Sequence, residues 1–157
     1  LENVWVVATM LVLGGIFMIA AEKMHKNFSV TDVDHITWKQ ALKIGLFQCL
    51  SLWPGFSRSG STIAGSLLLG ISRKAAADFT FIMAVPLMFL ACIYDLLKTI
   101  KYLEMADFGI LAVGFVTAFF VAYASILWFL KFLNTSTLTG FAIYRFLVAL
   151  VALIYFW

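Results

Sequence analysis

Charge is what this chain has least of: aspartate, glutamate, lysine and arginine together make up 12% of its 157 residues. A soluble domain carries about twice that share. Nucleic-acid binding is excluded as well, because the lysines form no basic patch, although the formal net charge is +3 and the pI about 9.0. They stand at the ends of apolar runs, as membrane-flanking charge does. Cysteine is nearly absent too. Cys49 and Cys92 fall in separate apolar runs, which excludes a disulfide framework and predicts two small buried hydrophobes. No Gly-Lys-Ser/Thr ending exists for a P-loop, and Gly55-Phe56-Ser57-Arg58-Ser59 lacks the final glycine of a nucleophile elbow. No basic segment precedes the first apolar run, so no cleavable signal peptide is expected, and Leu1 reads as a cut point within a longer protein.

What is there is hydrophobic: 64% of the residues, with a mean hydropathy of +1.02. That composition predicts an all-α integral membrane protein, with residues 1–157 as one membrane domain. Uncharged or nearly uncharged runs over 4–21, 78–98 and 108–130, and from the polar turn Asn134-Thr135-Ser136-Thr137 to Trp157, supply four transmembrane helices. The second carries Pro86, and the last carries Arg145 and ends in Tyr155, Phe156 and Trp157, an interfacial belt.

The stretch between the first two spans is built differently. Thr31 to Asp34 offers N-cap residues for a helix beginning near Ile36. The uncharged runs 44–57 and 59–72 are too short to span, since about 14 residues of helix rise only about 21 Å. A re-entrant helix hairpin over about 36–70, turning at Pro54 to Ser57, fits those lengths. With such a hairpin, Lys23, Lys26, Lys39, Lys43, Arg73, Lys74 and Lys131 share one face, and only Lys98 and Lys101 lie opposite. A single crossing would weaken that bias to six against three, so the positive-inside rule favours the hairpin and makes the seven-residue face cytoplasmic.

At the expected turn stands Trp53-Pro54-Gly55-Phe56-Ser57-Arg58-Ser59-Gly60-Ser61-Thr62. An arginine at membrane depth costs roughly 2.5 to 3.5 kcal/mol even on the lenient insertion scale, and irregular backbone survives there only beside protein or a wet cavity. Ser57 or Ser59 would cap a helix starting near Gly60, whose free N–H groups and positive dipole end face the same spot as Arg58. Gly60 permits close approach of an anion, Ser61 and Thr62 add hydroxyls, and Arg58 adds a planar fork suited to phosphate oxygens. The competing reading pairs Arg58 with Asp78 or Asp95 and gives the small residues a packing role. Phosphate is the stronger expectation.

Pro54-Gly55-Phe56-Ser57-Arg58-Ser59-Gly60-Ser61-Thr62, with Gly70-Ile71-Ser72-Arg73, the run Phe79 to Pro86 and Phe141-Ala142-Ile143-Tyr144-Arg145-Phe146, closely resembles the undecaprenyl-diphosphate phosphatases, the bacitracin-resistance proteins. The resemblance covers the whole chain. It implies hydrolysis of a polyprenyl diphosphate lipid, recycling the carrier for cell-wall synthesis in a bacterial cell membrane. It also implies an inverted-repeat fold in which two re-entrant hairpins meet at the site. Arg58 and Ser57 would then be catalytic, with Ser57, Arg58, Ser59, Gly60 and Thr62 binding the substrate phosphate. A divalent cation, Mg or Ca, is implied as cofactor, with ligands outside this chain, and a homodimer is a further expectation. The family's earlier signature, a Glu-rich segment and a Ser-Ser-Thr-Gly-His-like turn, has no match among Glu2, Glu22, His25 and His35. The chain therefore resembles a C-terminal half that needs the missing N-terminal half and is inactive alone. A transporter or flippase for an anionic lipid head group is the alternative.

The remaining polar residues carry lesser expectations. His25 and His35 read as solvated loop residues. Asp78 is expected to neutralise Arg73 or Lys74 at a helix start. Arg145 reads as a structural ion pair or carbonyl clamp, and the 16 phenylalanines as packing and lipid-facing residues.

Overall fold

The computed structural model describes residues 4–24, 27–102, 107–135 and 137–156. Leu1, Glu2, His25, Lys26, Ser136 and Trp157, which entered the sequence readings, lie outside them. The described chain forms six α-helices: α1 (Val4–Met24), α2 (Trp38–Gln48), α3 (Arg58–Leu68), α4 (Arg73–Thr99), α5 (Asp107–Thr135) and α6 (Leu138–Phe156). Four of them, α1, α4, α5 and α6, are long and apolar enough to cross a membrane, matching the four expected spans. α4 continues through Pro86 without a break.

The short helices α2 and α3 form an excursion between α1 and α4 and pack against each other. α2 starts at Trp38 because Thr37, and not a residue of 31–34, closes a capping box: its hydroxyl accepts from Gln40 N–H at 3.3 Å while the Gln40 side chain accepts from Thr37 N–H at 3.0 Å. Asp32 caps only the short 3-10 turn Val33–His35. A further 3-10 turn, Cys49–Leu52, leads to the bend at 53–57. The two arms leave from and return to one place, where Ser29 N–H donates to Gly70 O at 2.8 Å and Ser72 N–H to Val30 O at 2.8 Å. Gly70 makes that closure at φ +77°, a conformation glycine reaches without steric cost.

The core is centred on α3. Every residue from Gly60 to Leu67 is buried, with α1, α2 and α4 around it. Ile63, Ala64 and Leu67 meet Met18 and Ala21 of α1, Ile44 of α2 and Ala75, Ala76 and Ala77 of α4. Small residues let these backbones approach, which is how helices associate when apolar solvent removes the hydrophobic drive. A β-carbon at Gly65 would lie 2.5 Å from the Phe47 ring, and one at Gly15 2.6 Å from the Phe146 ring. α5, by contrast, buries none of its apolar window.

α1 and α6 run antiparallel and are tied at two levels. At one end Glu22 Oε2 accepts from Leu138 N–H, the first residue of α6, at 2.6 Å, while Glu22 Oε1 forms an ion pair with Arg73 at the start of α4. Arg73 thus pairs with Glu22 and not with Asp78, because the end of α1 reaches the α4 N-terminus. At the other level Arg145 of α6 bonds the carbonyls of Met10 and Leu11. Leu11 and Glu22 are separated by about 16 Å at 1.5 Å per residue. Cys49 and Cys92 are free thiols on exposed faces, not the interior residues expected, because both sit on sides of their helices that no described element covers.

Candidate functional site

The bend at 53–57 is fixed by backbone conformations that few residues adopt. Gly55 has φ +94°, and a β-carbon there would lie 2.5 Å from Val7 O of α1. Ser57 has φ +76°, the single positive value at a non-glycine position among the described residues. Such a conformation costs about 1 to 3 kcal/mol and persists only where the surroundings impose it. Here it turns Ser57 into the N-cap of α3, its hydroxyl accepting from Gly60 N–H at 3.2 Å. The helix therefore starts at Arg58, two residues before the expected position.

Two backbone donors of that first turn are left over. Gly60 N–H bonds Ser57 Oγ and Ser61 N–H bonds Ser57 O at 3.0 Å, whereas the N–H groups of Arg58 and Ser59 have no partner among the described residues. A β-carbon at Gly60 would lie 3.0 Å from Met18 Sδ and 3.1 Å from Ser57 Oγ, so glycine keeps this end of the helix uncrowded. Unpaired N–H groups at the positive end of a helix are donors for an anion.

Two cavities flank this turn. The first, about 410 Å³, is lined by Gly55, Ser57, Ser59 and Gly60, by Leu11 and Met18 of α1, and by Tyr144 and Arg145 of α6, among others. The second, about 350 Å³, is lined by Arg58 and Ser59, by Thr80 and Phe81 of α4, and by Ser125 and Trp128 of α5, among others. Ser59 is a wall of both. Arg58 and the serine and glycine cluster, expected to face one spot, thus line adjoining cavities. The half-buried Arg58 side chain pairs with neither Asp78 nor Asp95; it has no hydrogen bond or ion pair among the described residues.

Ser61 and Thr62 turn inward. Ser61 Oγ donates to Arg58 O at 2.8 Å. Thr62, fully buried, lies 2.9 Å from Thr80 Oγ1 and 3.1 Å from the carbonyls of Arg58 and Ser59. Thr62 therefore braces the first turn of α3 from behind and lines neither cavity.

Arg145 is the larger surprise. It fulfils the carbonyl-clamp expectation, donating from Nε to Leu11 O at 3.2 Å and from Nη2 to Met10 O at 3.3 Å. Its shortest bond, however, runs from Nη2 to Gly55 O at 2.6 Å, in the bend itself. Arg145 stands in an apolar span 90 positions from Gly55, and no local pattern in the sequence signals that contact. His35 is exposed in its 3-10 turn and lines neither cavity.

A divalent cation needs charged oxygen ligands. The residues lining the two cavities include arginines, hydroxyls and glycines but no carboxylate, and no cluster of three His, Cys, Asp or Glu side chains occurs among the described residues. This donor set does not fit such an ion on its own. It fits a polyanion.

Comparison with known proteins agrees with the sequence motif. Residues 1–151 match the protein family described as "Bacitracin resistance protein BacA". A curated protein of Exiguobacterium sibiricum named "Undecaprenyl-diphosphatase" is 49% identical over 154 residues, covering 96% of this chain and 55% of its own length. Proteins of the same name from Geobacillus sp. and Geobacillus kaustophilus are 51% and 54% identical, covering 99% and 93% of this chain. The chain spans 59% and 53% of those two relatives, so it corresponds to somewhat more than half of each.

Proposed function

The chain belongs to the bacitracin resistance protein BacA family, and from that premise we propose that it supplies the phosphate-binding half of an enzyme that hydrolyses undecaprenyl diphosphate in a bacterial cell membrane. The observation that carries this reading is the pair of N–H groups at the α3 N-terminus that have no partner among the described residues, beside an Arg58 guanidinium that no described carboxylate neutralises. In the net reaction the bond from the terminal phosphorus to the bridging oxygen breaks, undecaprenyl phosphate departs with the electron pair, the oxygen of water ends on the terminal phosphorus as inorganic phosphate, and the proton it gives up passes to a base.

In this reading Arg58 and Ser57 are the catalytic members contributed by the chain. Arg58 binds the terminal phosphoryl oxygens and stabilises the charge that grows on them, while Ser57, Ser59 and the free N–H groups of Arg58 and Ser59 hold the phosphate at the helix end and Gly60 leaves room for it. Thr62 contributes by fixing the Arg58 and Ser59 carbonyls. The α2–α3 excursion is the re-entrant hairpin: its ends lie together and its bend stands about 16 Å along α1 from Glu22, roughly half of a 30 Å hydrocarbon core. A second, inverted hairpin from an N-terminal half of the same protein completes the site with the nucleophile or base and the ligands of a divalent cation.

The two cavities meeting at Ser59 also suit a transporter that passes an anionic head group across discontinuous helices. One experiment separates the readings. The full-length protein in lipid vesicles, given undecaprenyl diphosphate, is expected to release inorganic phosphate, and Arg58→Ala to lower that rate by about 100-fold or more with unchanged thermal stability. Passage of intact substrate without phosphate release would establish the transporter, and an undiminished rate in the variant would remove Arg58 from the chemistry. The 157-residue chain alone is expected to release none.

A further inference from the structure

We propose that Arg145 is the positioning residue of this site: it anchors the 53–57 bend to α1 and thereby sets where the first turn of α3 presents its phosphate-binding groups. The effect on turnover rests on the phosphatase reading; the anchoring itself does not.

Arg145 is 7% exposed, and its guanidinium meets carbonyl oxygens rather than a carboxylate among the described residues. A buried cation is costly unless its donors are satisfied, so this one is kept for what the donors hold. They join two elements that no other side-chain hydrogen bond joins among the described residues: the Met10 and Leu11 carbonyls inside α1, and Gly55 O in the bend. In an α-helix these carbonyls already accept from residues 14 and 15, and both positions are glycine. A β-carbon at Gly14 would lie 2.4 Å from Arg145 Nη2 and 2.6 Å from Phe56 O. The bare α1 surface admits the guanidinium and the bend together.

The bend is thus held at three points: Gly55 against Val7 O, Phe56 O against Gly14, and Gly55 O on Arg145. Two residues later comes Ser57, whose positive φ decides the direction in which α3 begins. Nε and Nη2 are spent on carbonyls and only Nη1 is left without a bond among the described residues, so the main reach of Arg145 to the phosphate is through backbone geometry. A misplacement of about 1 Å in such a support is enough to cost about 100-fold in rate.

The test uses the full-length protein with undecaprenyl diphosphate as substrate, together with amide hydrogen exchange read by mass spectrometry. Arg145→Ala is expected to lower kcat by about 100-fold with KM within about threefold of the unvaried protein, and Arg145→Lys to recover part of the loss. Gly14→Ala keeps the arginine but displaces it, and is expected to lower kcat in the same way. Exchange over 53–61 should quicken by about tenfold, the value of one hydrogen bond to a charged group, while 75–80 keeps its rate. A raised KM with kcat intact would make Arg145 a direct substrate ligand and overturn the proposal, as would unchanged exchange over 53–61. If the unvaried protein releases no phosphate, the phosphatase reading fails and the exchange measurement alone decides the anchor. Should Arg145→Ala not insert, Arg145→Lys and Gly14→Ala must both quicken exchange over 53–61 for the proposal to stand.

Discussion

Replacing Glu22 should loosen the junction of three helices by an amount that divides cleanly between two variants. Glu22 Oε2 accepts the Leu138 N–H at 2.6 Å, capping α6 from another helix, and Oε1 pairs with Arg73. A backbone hydrogen bond to a carboxylate contributes about 1.5 to 3 kcal/mol. The Arg73 side chain is 35% exposed and its Nε has no hydrogen-bond partner among the described residues, which puts the ion pair at about 1 kcal/mol or less. Glu22→Ala removes both and leaves the α6 N-terminus uncapped, for a loss of about 3 kcal/mol. Glu22→Gln keeps a neutral acceptor for Leu138 N–H and should lose about half of that. At about 2 to 4 °C per kcal/mol for a chain of this size, thermal unfolding in detergent, followed by tryptophan fluorescence at a fixed scan rate, should fall by about 6 to 12 °C for alanine and about 3 to 6 °C for glutamine. Equal losses in the two variants, or none in either, would refute the assignment of the junction to these two bonds.

Ser57→Gly should separate stability from function: it relieves a positive φ at a cap position where glycine is nearly as good as serine, so unfolding temperature should hold or rise while phosphate release by the full-length protein falls. Gly65→Ala should destabilise by about 1 to 3 kcal/mol by forcing the Phe47 ring off α3, and Phe47→Leu in the same chain should recover part of that loss in the thermal assay.

The four long helices were legible because an uncharged run of spanning length has few other uses, and the short arms because Pro54-Gly55 divides a run into pieces too short to cross. Ser57 as a cap was also legible, since a serine three residues before a glycine N–H meets a local rule of helix starts. What escaped were contacts between residues far apart in the chain. One local signal was also missed: Thr37 caps α2 in place of 31–34 because only it has Gln40 at the right spacing to answer. Arg73 found Glu22 on another helix rather than Asp78 on its own, and Arg145 found a carbonyl 90 positions away. Arg58 was read as facing the serines and glycines around it, but on a helix successive side chains diverge by about 100°, so neighbours in the motif open onto different cavities.

The separations of these bonds also order events during synthesis. Ser29 and Gly70 are 41 positions apart, whereas Arg145 reaches Met10 across 135. Closing the longer loop costs only about 1 kcal/mol more in chain entropy, so the ribosome, and not entropy, sets the delay. A nascent chain that has emerged as far as Ser72 can already bring the two ends of the α2–α3 excursion together. Its bend already has Val7 and Gly14 of α1 to lean on, but Gly55 O has no Arg145 to accept from until α6 is made and laid along α1. That third hold waits through the translation of two intervening long helices, α4 and α5, so the phosphate-facing turn takes its final place among the last events of the chain's assembly.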